Sequence, residues 1–129
     1  MKEIHTDAAP AHTGPVPQAV ESGGWIYVSA LFGVEPATGR FPDDARGEAE
    51  QLFANLAAIL AAAGAGLTDV VRAGIFMKEL QRDRPAFNEV WRAVFGDHRP
   101  ARSAVQAGDF GRPRDRVRYM MDVVAHREP

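Results

Sequence analysis

The stretch VVRAGIFMKELQRDRPAFNEVWRAVFGDHRPARSAVQA, residues 70–107, decides the fold. Its opening run, Val70 to Met77, is short, rich in β-forming residues and apolar except for Arg72, which reads as a buried strand. Asp83 and Pro85 then open a helix, because proline at an early helical position gives up only an N–H that has no partner there. Phe87, Val90, Trp91, Val94 and Phe95 recur at three- and four-residue spacing and draw one apolar stripe, which closes at Gly96. The loop His98-Arg99-Pro100-Ala101 leads into a second strand, Arg102 to Ala107. The unit is strand, helix, strand.

Working outward, Ala49, Leu52, Phe53, Leu56, Ile59, Leu60 and Ala63 form a second helical stripe. Asp43 or Asp44 caps its start and Gly64 and Gly66 end it. The Val70 to Met77 strand packs one face on this helix. Upstream, Gln18 to Leu31 forms a hairpin about Gly23-Gly24, whose second arm, Trp25 to Leu31, is dense in aromatic and β-branched residues. Pro36-Ala37-Thr38-Gly39 is a turn, and Ala8 to Pro17, with three prolines, is an irregular segment lying on the domain. Downstream, Val117, Tyr119, Met121 and Val123 alternate with Arg118, Met120, Asp122 and Val124 along a last strand. The class is α+β, in a single domain spanning 1–129. Two helices cover only one sheet face, yet several strands carry apolar residues on both. The second face is therefore expected to pack on other copies of the chain.

Apolar residues make up 46% of the chain and charged residues 25%, a globular balance that excludes disordered and fibrous classes. The net charge of −2 supplies no general basic field, which argues against nucleic acid as the partner. The absence of cysteine removes thiolate chemistry and soft-ligand zinc sites and fits a reducing compartment. The N-terminus is too polar for a signal peptide and no run approaches a membrane span, so the expectation is a cytoplasmic protein with no membrane partner.

His5, His12, His98 and His126 show no metal-ligand spacing, and no cofactor or metal is expected. His98, four residues before Arg102, reads as a loop histidine in preference to a general acid or base. Ser29 and Ser103 lack hydrolase partners. The cluster Arg112, Arg114, Arg116 and Arg118 is diluted by Asp109, Asp115 and Asp122 and reads as a solvated loop and strand end in preference to a nucleic-acid surface. Trp91 and Phe95 read as core.

Gly14-Pro15, Gln18-Ala19, Tyr27-Val28-Ser29, Pro36-Ala37-Thr38-Gly39, Asn55-Leu56, Asn88-Glu89-Val90 and Pro100-Ala101-Arg102-Ser103 occur in this order over nearly the whole chain. In these signatures the chain resembles the RidA (YjgF) reactive-intermediate deaminase family. The resemblance implies a chorismate-mutase-like fold: a mixed six-stranded sheet with two helices on one face, assembled as a homotrimer around a barrel core with ligand clefts between subunits. It implies that Arg102 binds the carboxylate of a 2-imino or 2-enamino acid, for which a forked guanidinium is suited. It also assigns catalytic roles to Ser29 and Asp122, and a substrate-lining role to Val16, Ala30, Leu31, Ser103, Ala104, Met120 and the residue at position 88, Asn88.

The sequence departs from the family at telling positions. Val16 stands where deaminases usually have tyrosine, and Ala30-Leu31 where they have Gly-Gln; the Ala30 N–H is still expected to meet the carboxylate. By strand parity Met120 replaces the glutamate that positions the attacking water, and Asp122 matches the later glutamate. Methionine neither holds a water nor moves a proton. The loop Gly108 to Arg116 offers Asp109 and Asp115 as candidates to enter the cleft. The leading expectation is an enzyme acting on an imine, enamine or related enolisable small molecule, by hydrolytic deamination or by a diverged tautomerisation or cyclisation. The competing class is a non-catalytic metabolite-binding or regulatory trimer.

Overall fold

The computed structural model describes residues 1–12, 14–111 and 117–128. Strands β1 (Lys2–Ile4), β2 (Ala19–Ser22) and β3 (Trp25–Leu31) precede helix α1 (Ala45–Ala62) and a short 3-10 turn (Leu67–Asp69). Strand β4 (Val70–Met77), helix α2 (Leu80–Phe95), β5 (Ala101–Gln106) and β6 (Tyr119–His126) follow. The six strands form one sheet in the order β1-β2-β3-β6-β4-β5, antiparallel except for the parallel pair β4 and β5. The expected six-stranded mixed sheet with two helices on one face is therefore present. Among the described residues, no helix is long and apolar enough to cross a membrane.

The hairpin forms where the glycines stand. Ser22 pairs with Trp25, leaving Gly23 and Gly24 at φ of 58° and 86°, the two positive values that a primed two-residue turn requires. Strand β1, unmarked by any apolar run, adds to the edge of β2 and buries Ile4. The irregular segment after it is held by buried Gln18, whose amide donates to the carbonyls of Thr6 and Pro10 at 3.0 Å and whose oxygen accepts the Thr6 N–H at 2.8 Å.

Of the two candidate caps for α1, Asp44 serves: its Oδ1 accepts the Gly47 N–H at 2.8 Å. Helix α2 corrects the expected start at Asp83. It begins at Leu80, whose N–H is taken by Gln106 Oε1 of β5 at 3.1 Å, a bond between distant residues that no local cap announces. Pro85 sits inside the helix and is exposed, and Asp83 is buried with its carboxylate paired to Arg82 at 2.9 and 3.0 Å.

The main core lies between the helices and one sheet face. It takes in Leu52, Phe53, Leu56, Ile59 and Leu60 of α1, Phe87 and Val90 of α2, and Ile26, Ile75, Met77, Tyr119, Met121 and Val123 of the sheet. The expected alternation in β6 holds, with Tyr119, Met121, Val123 and Ala125 buried and Met120, Asp122, Val124 and His126 on the other face. On that uncovered face Trp25, Tyr27 and Val105 are 40%, 47% and 47% exposed.

Two buried polar side chains of α1 tie the layers together. Asn55 donates to the Phe32 and Val34 carbonyls at 2.9 Å, pinning the chain as it leaves β3. Glu48, fully buried, accepts the N–H groups of Arg118 and Tyr119 at 2.8 and 3.3 Å and the Arg118 guanidinium at 2.9 Å. Burial pushes its carboxyl above the ordinary glutamate range, and the Arg118 and Tyr119 donors pull the other way.

Removing this carboxylate strands three donors, so Glu48→Ala should lose about 3 kcal/mol in urea unfolding at neutral pH. A carboxyl raised in the folded state contributes stability below its unfolded value, and that contribution is lost as pH rises through the folded value. The melting temperature of the wild type should fall across that window more steeply than that of Glu48→Gln, which does not titrate. Identical pH profiles would contradict this.

Candidate functional site

Arg102 lies on edge strand β5, and its register partner in β4 is Ala73, a residue of the helix-facing core. Its side chain therefore points toward α2. There the guanidinium donates through Nη2 to Asn88 Oδ1 at 2.5 Å and sits 4.8 Å from the Trp91 ring centre and 5.8 Å from that of Phe87. Trp91, expected as core, is half-buried and works on both sides, packing on Phe53 and offering a ring face to the cation. Asn88, Trp91, Arg92 and Arg102 line a cleft of about 170 Å³. Burial holds the Arg102 pKa below the ordinary arginine range, and the nearby charges of Arg84 and Arg92 add to the effect.

The neighbours of Arg102 in its strand divide between faces. Ser103 pairs in register with Gly74 on the uncovered side, where its hydroxyl meets Arg72 Nη2 at 3.4 Å. Ala104 returns to the helix side and packs against the main core.

A second group of the expected residues gathers at the far end of β3. Ser29 and Ala30 fall within a register shift between Val28 and Leu31, and the Ser29 hydroxyl donates to the Pro17 carbonyl at 2.8 Å. Exposed Val16 precedes that carbonyl in the chain. Ala30, Leu31 and Phe32 line a small hollow together with Pro10, Ala11 and His12. His12 was not singled out by spacing: it arrives here because Gln18 fastens the segment before it.

Met120 and Asp122 occupy the uncovered face on β6. Met120 pairs in register with Phe76 and packs on a second apolar cluster of Phe32, Val34, Phe41, Phe110 and Val117. Asp122 is exposed and lies over Gly74, where a β-carbon would come within 2.6 Å of Asp122 Oδ1; only glycine leaves that carboxylate its place. Asp109 turns back on its own loop, accepting the Gly111 N–H at 2.7 Å. Asp115, with Arg112, Arg114 and Arg116 of the basic cluster, lies outside the described residues, while Arg118 is committed to Glu48. His98 is also committed, its Nε2 2.7 Å from the Val70 carbonyl.

One copy of the chain thus keeps the expected residues in two separate groups. Between β3 and β5 stand β6 and β4, three strand spacings or roughly 14 Å, and the Arg102 side chain turns toward the helices while Met120 and Asp122 face the other way.

Two helices on one face of this mixed sheet define the chorismate-mutase-like α+β class. The Endoribonuclease L-PSP family profile matches residues 6–125. The 2-iminobutanoate/2-iminopropanoate deaminase of Escherichia coli is 36% identical over 129 residues, covering 98% of both chains. Among solved structures, Escherichia coli TdcF with bound serine superposes with a TM-score of 0.91 at 33% identity, over 99% of this chain and 100% of that one. The YjgF gene product of Escherichia coli does so with a TM-score of 0.90 at 36% identity, over the same shares. The chain belongs to the RidA/YjgF family.

A ligand-binding arginine and a structural one differ in what their loss costs the fold. Arg102 sits at a half-exposed edge with a neutral partner, so Arg102→Ala should cost no more than about 1 kcal/mol in urea unfolding. Trp91→Ala, which opens the aromatic cluster, should cost about 3 kcal/mol. An Arg102→Ala chain that failed to fold would make this arginine a structural residue.

Proposed function

We propose that the protein binds a 2-imino or 2-enamino acid, or a related enolisable small molecule, in a cleft completed between copies of the chain in a homotrimer. The observation that carries this reading is Arg102: a guanidinium held by a neutral amide and an aromatic face, with no carboxylate partner among the described residues and an open cleft before it. Such a group is poised for a substrate carboxylate. The family's deaminases support the reaction class at this fold.

The separation of the half-sites supports the oligomer. A three- or four-carbon acid cannot reach from Arg102 to Ala30 of the same copy, and the exposed Trp25, Tyr27 and Val105 give the uncovered sheet face a reason to be buried. In the assembled cleft Arg102 holds the carboxylate of one end and the Ala30 N–H, Leu31 and Val16 come from the neighbour. In hydrolysis, water adds to the imine carbon, the carbon–nitrogen bond breaks, and ammonia leaves with a 2-oxo acid as the other product.

Met120 sets the limit of this chemistry. It packs against an apolar cluster and offers no acceptor to water, and Asp122 is the nearest carboxylate in the strand. Hydrolysis is accordingly slow, and the surroundings of the reacting carbon suit tautomerisation or cyclisation of the same intermediates. The same observation favours a second reading, a non-catalytic metabolite-binding trimer.

The test is turnover of 2-imino acids generated in situ by an amino-acid oxidase. Arg102→Ala should abolish it, and Met120→Glu should raise it by about tenfold or more, within the ordinary contribution of a positioned acid or base. A wild type that shifts its melting temperature with a 2-oxo acid yet turns over no imine would establish the second reading. Rates indifferent to Arg102→Ala would overturn both.

A further inference from the structure

The Arg102 cleft carries more positive charge than one carboxylate needs. Arg84, Asn88 and Arg92 follow one another at four-residue intervals along α2 and so share one face of the helix. Arg102 docks on the middle member, Asn88. Two guanidinium groups, Arg92 and Arg102, line this cleft, and the charges of Arg84 and Arg92 are felt at Arg102.

Among the described residues, neither Arg92 nor Arg102 pairs with a carboxylate, and Arg84 meets only the Gln81 amide oxygen at 3.4 Å. The helix does carry acids, but they are engaged elsewhere: Asp83 with Arg82 at 2.9 Å, and Glu89 with Arg46 of α1 at 2.9 Å. Like charges brought together without a counter-charge repel one another, and an anion is what relieves them. Arg92 lines the same 170 Å³ cleft as Arg102.

We propose that this cleft is built for a ligand with two anionic groups, a 2-imino or 2-oxo dicarboxylate, whose first carboxylate meets Arg102 and whose second meets Arg92. The inference rests on the reading of Arg102 as a carboxylate-binding residue and extends it to the far end of the ligand. Four helical residues advance about 6 Å, which sets the distance along α2 from Asn88 to Arg92. The carboxyl carbons of an extended five-carbon diacid lie roughly 5 Å apart, so such a chain spans that turn. Arg84, one turn on the other side of Asn88, adds to the field that draws the dianion in.

The experiment compares 2-oxopentanedioate with 2-oxopentanoate, equal in length and differing in the terminal carboxylate, by isothermal titration of the assembled protein. The wild type should bind the diacid about tenfold more tightly, the equivalent of one added charge-assisted contact. Arg92→Gln should erase that preference by weakening the diacid far more than 2-oxopentanoate, and Arg92→Lys should keep most of it. Arg84→Gln should reduce it, and more at low salt than at high.

Equal affinity for the two acids in the wild type, with both lost in Arg102→Ala, would overturn the inference and leave the monocarboxylate site standing. Binding of neither acid would overturn both together. If Arg92→Gln altered the oligomeric mass and left the preference intact, the arginines would belong to a contact between copies, and the inference would fail.

Discussion

The parallel pairing of β5 with β4 is the constraint from which the site follows. Two consecutive parallel strands need a crossover between them, and here α2 is that crossover. Because β5 is the edge strand that follows α2, its helix-facing side meets α2, and α2 presents Asn88 and Trp91 where Arg102 emerges. A hairpin connection at this point would leave Arg102 in water. The crossover instead gives it a neutral hydrogen-bond acceptor and an aromatic wall, which hold a guanidinium without neutralising it.

The same topology leaves the other sheet face without a helix and sets the remaining expected residues apart from Arg102. Ser29, Ala30 and Leu31 lie three strands away from Arg102, and Met120 and Asp122 lie on the face that α1 and α2 do not cover. Asn55 and Glu48 make this arrangement stiff. Asn55 holds the exit of β3 and Glu48 holds the entry of β6, so both strands are fastened to one helix.

Periodicity made the frame legible. The stripes of α1 and α2, the apolar run of β4 interrupted only by Arg72, and the alternation in β6 each report a buried face, and the parity of β6 placed Met120 and Asp122 together on the other side. What escaped was set by distant partners. Strand β1 is three residues long and is defined by β2 beside it; α2 starts at Leu80 because Gln106 takes its N–H. Glu48 and Asn55 look like ordinary polar helix positions, and only the packed structure shows them buried. The motif Pro100-Ala101-Arg102-Ser103 singled out Arg102. The unpaired state of Arg84 and Arg92 was not legible, since it depends on where Asp83 and Glu89 find their partners.

The claim on which the functional account turns is that each cleft takes its two halves from different copies. It is tested most directly by mixing two variants that each lack binding, Arg102→Ala and an Ala30→Trp chain that blocks the β3 hollow, under conditions where subunits exchange. Titration with a 2-oxo acid should recover about a quarter of the wild-type sites, the random frequency at which an intact Arg102 meets an intact Ala30 across an interface. A mixture that binds no more than either variant alone would contradict it.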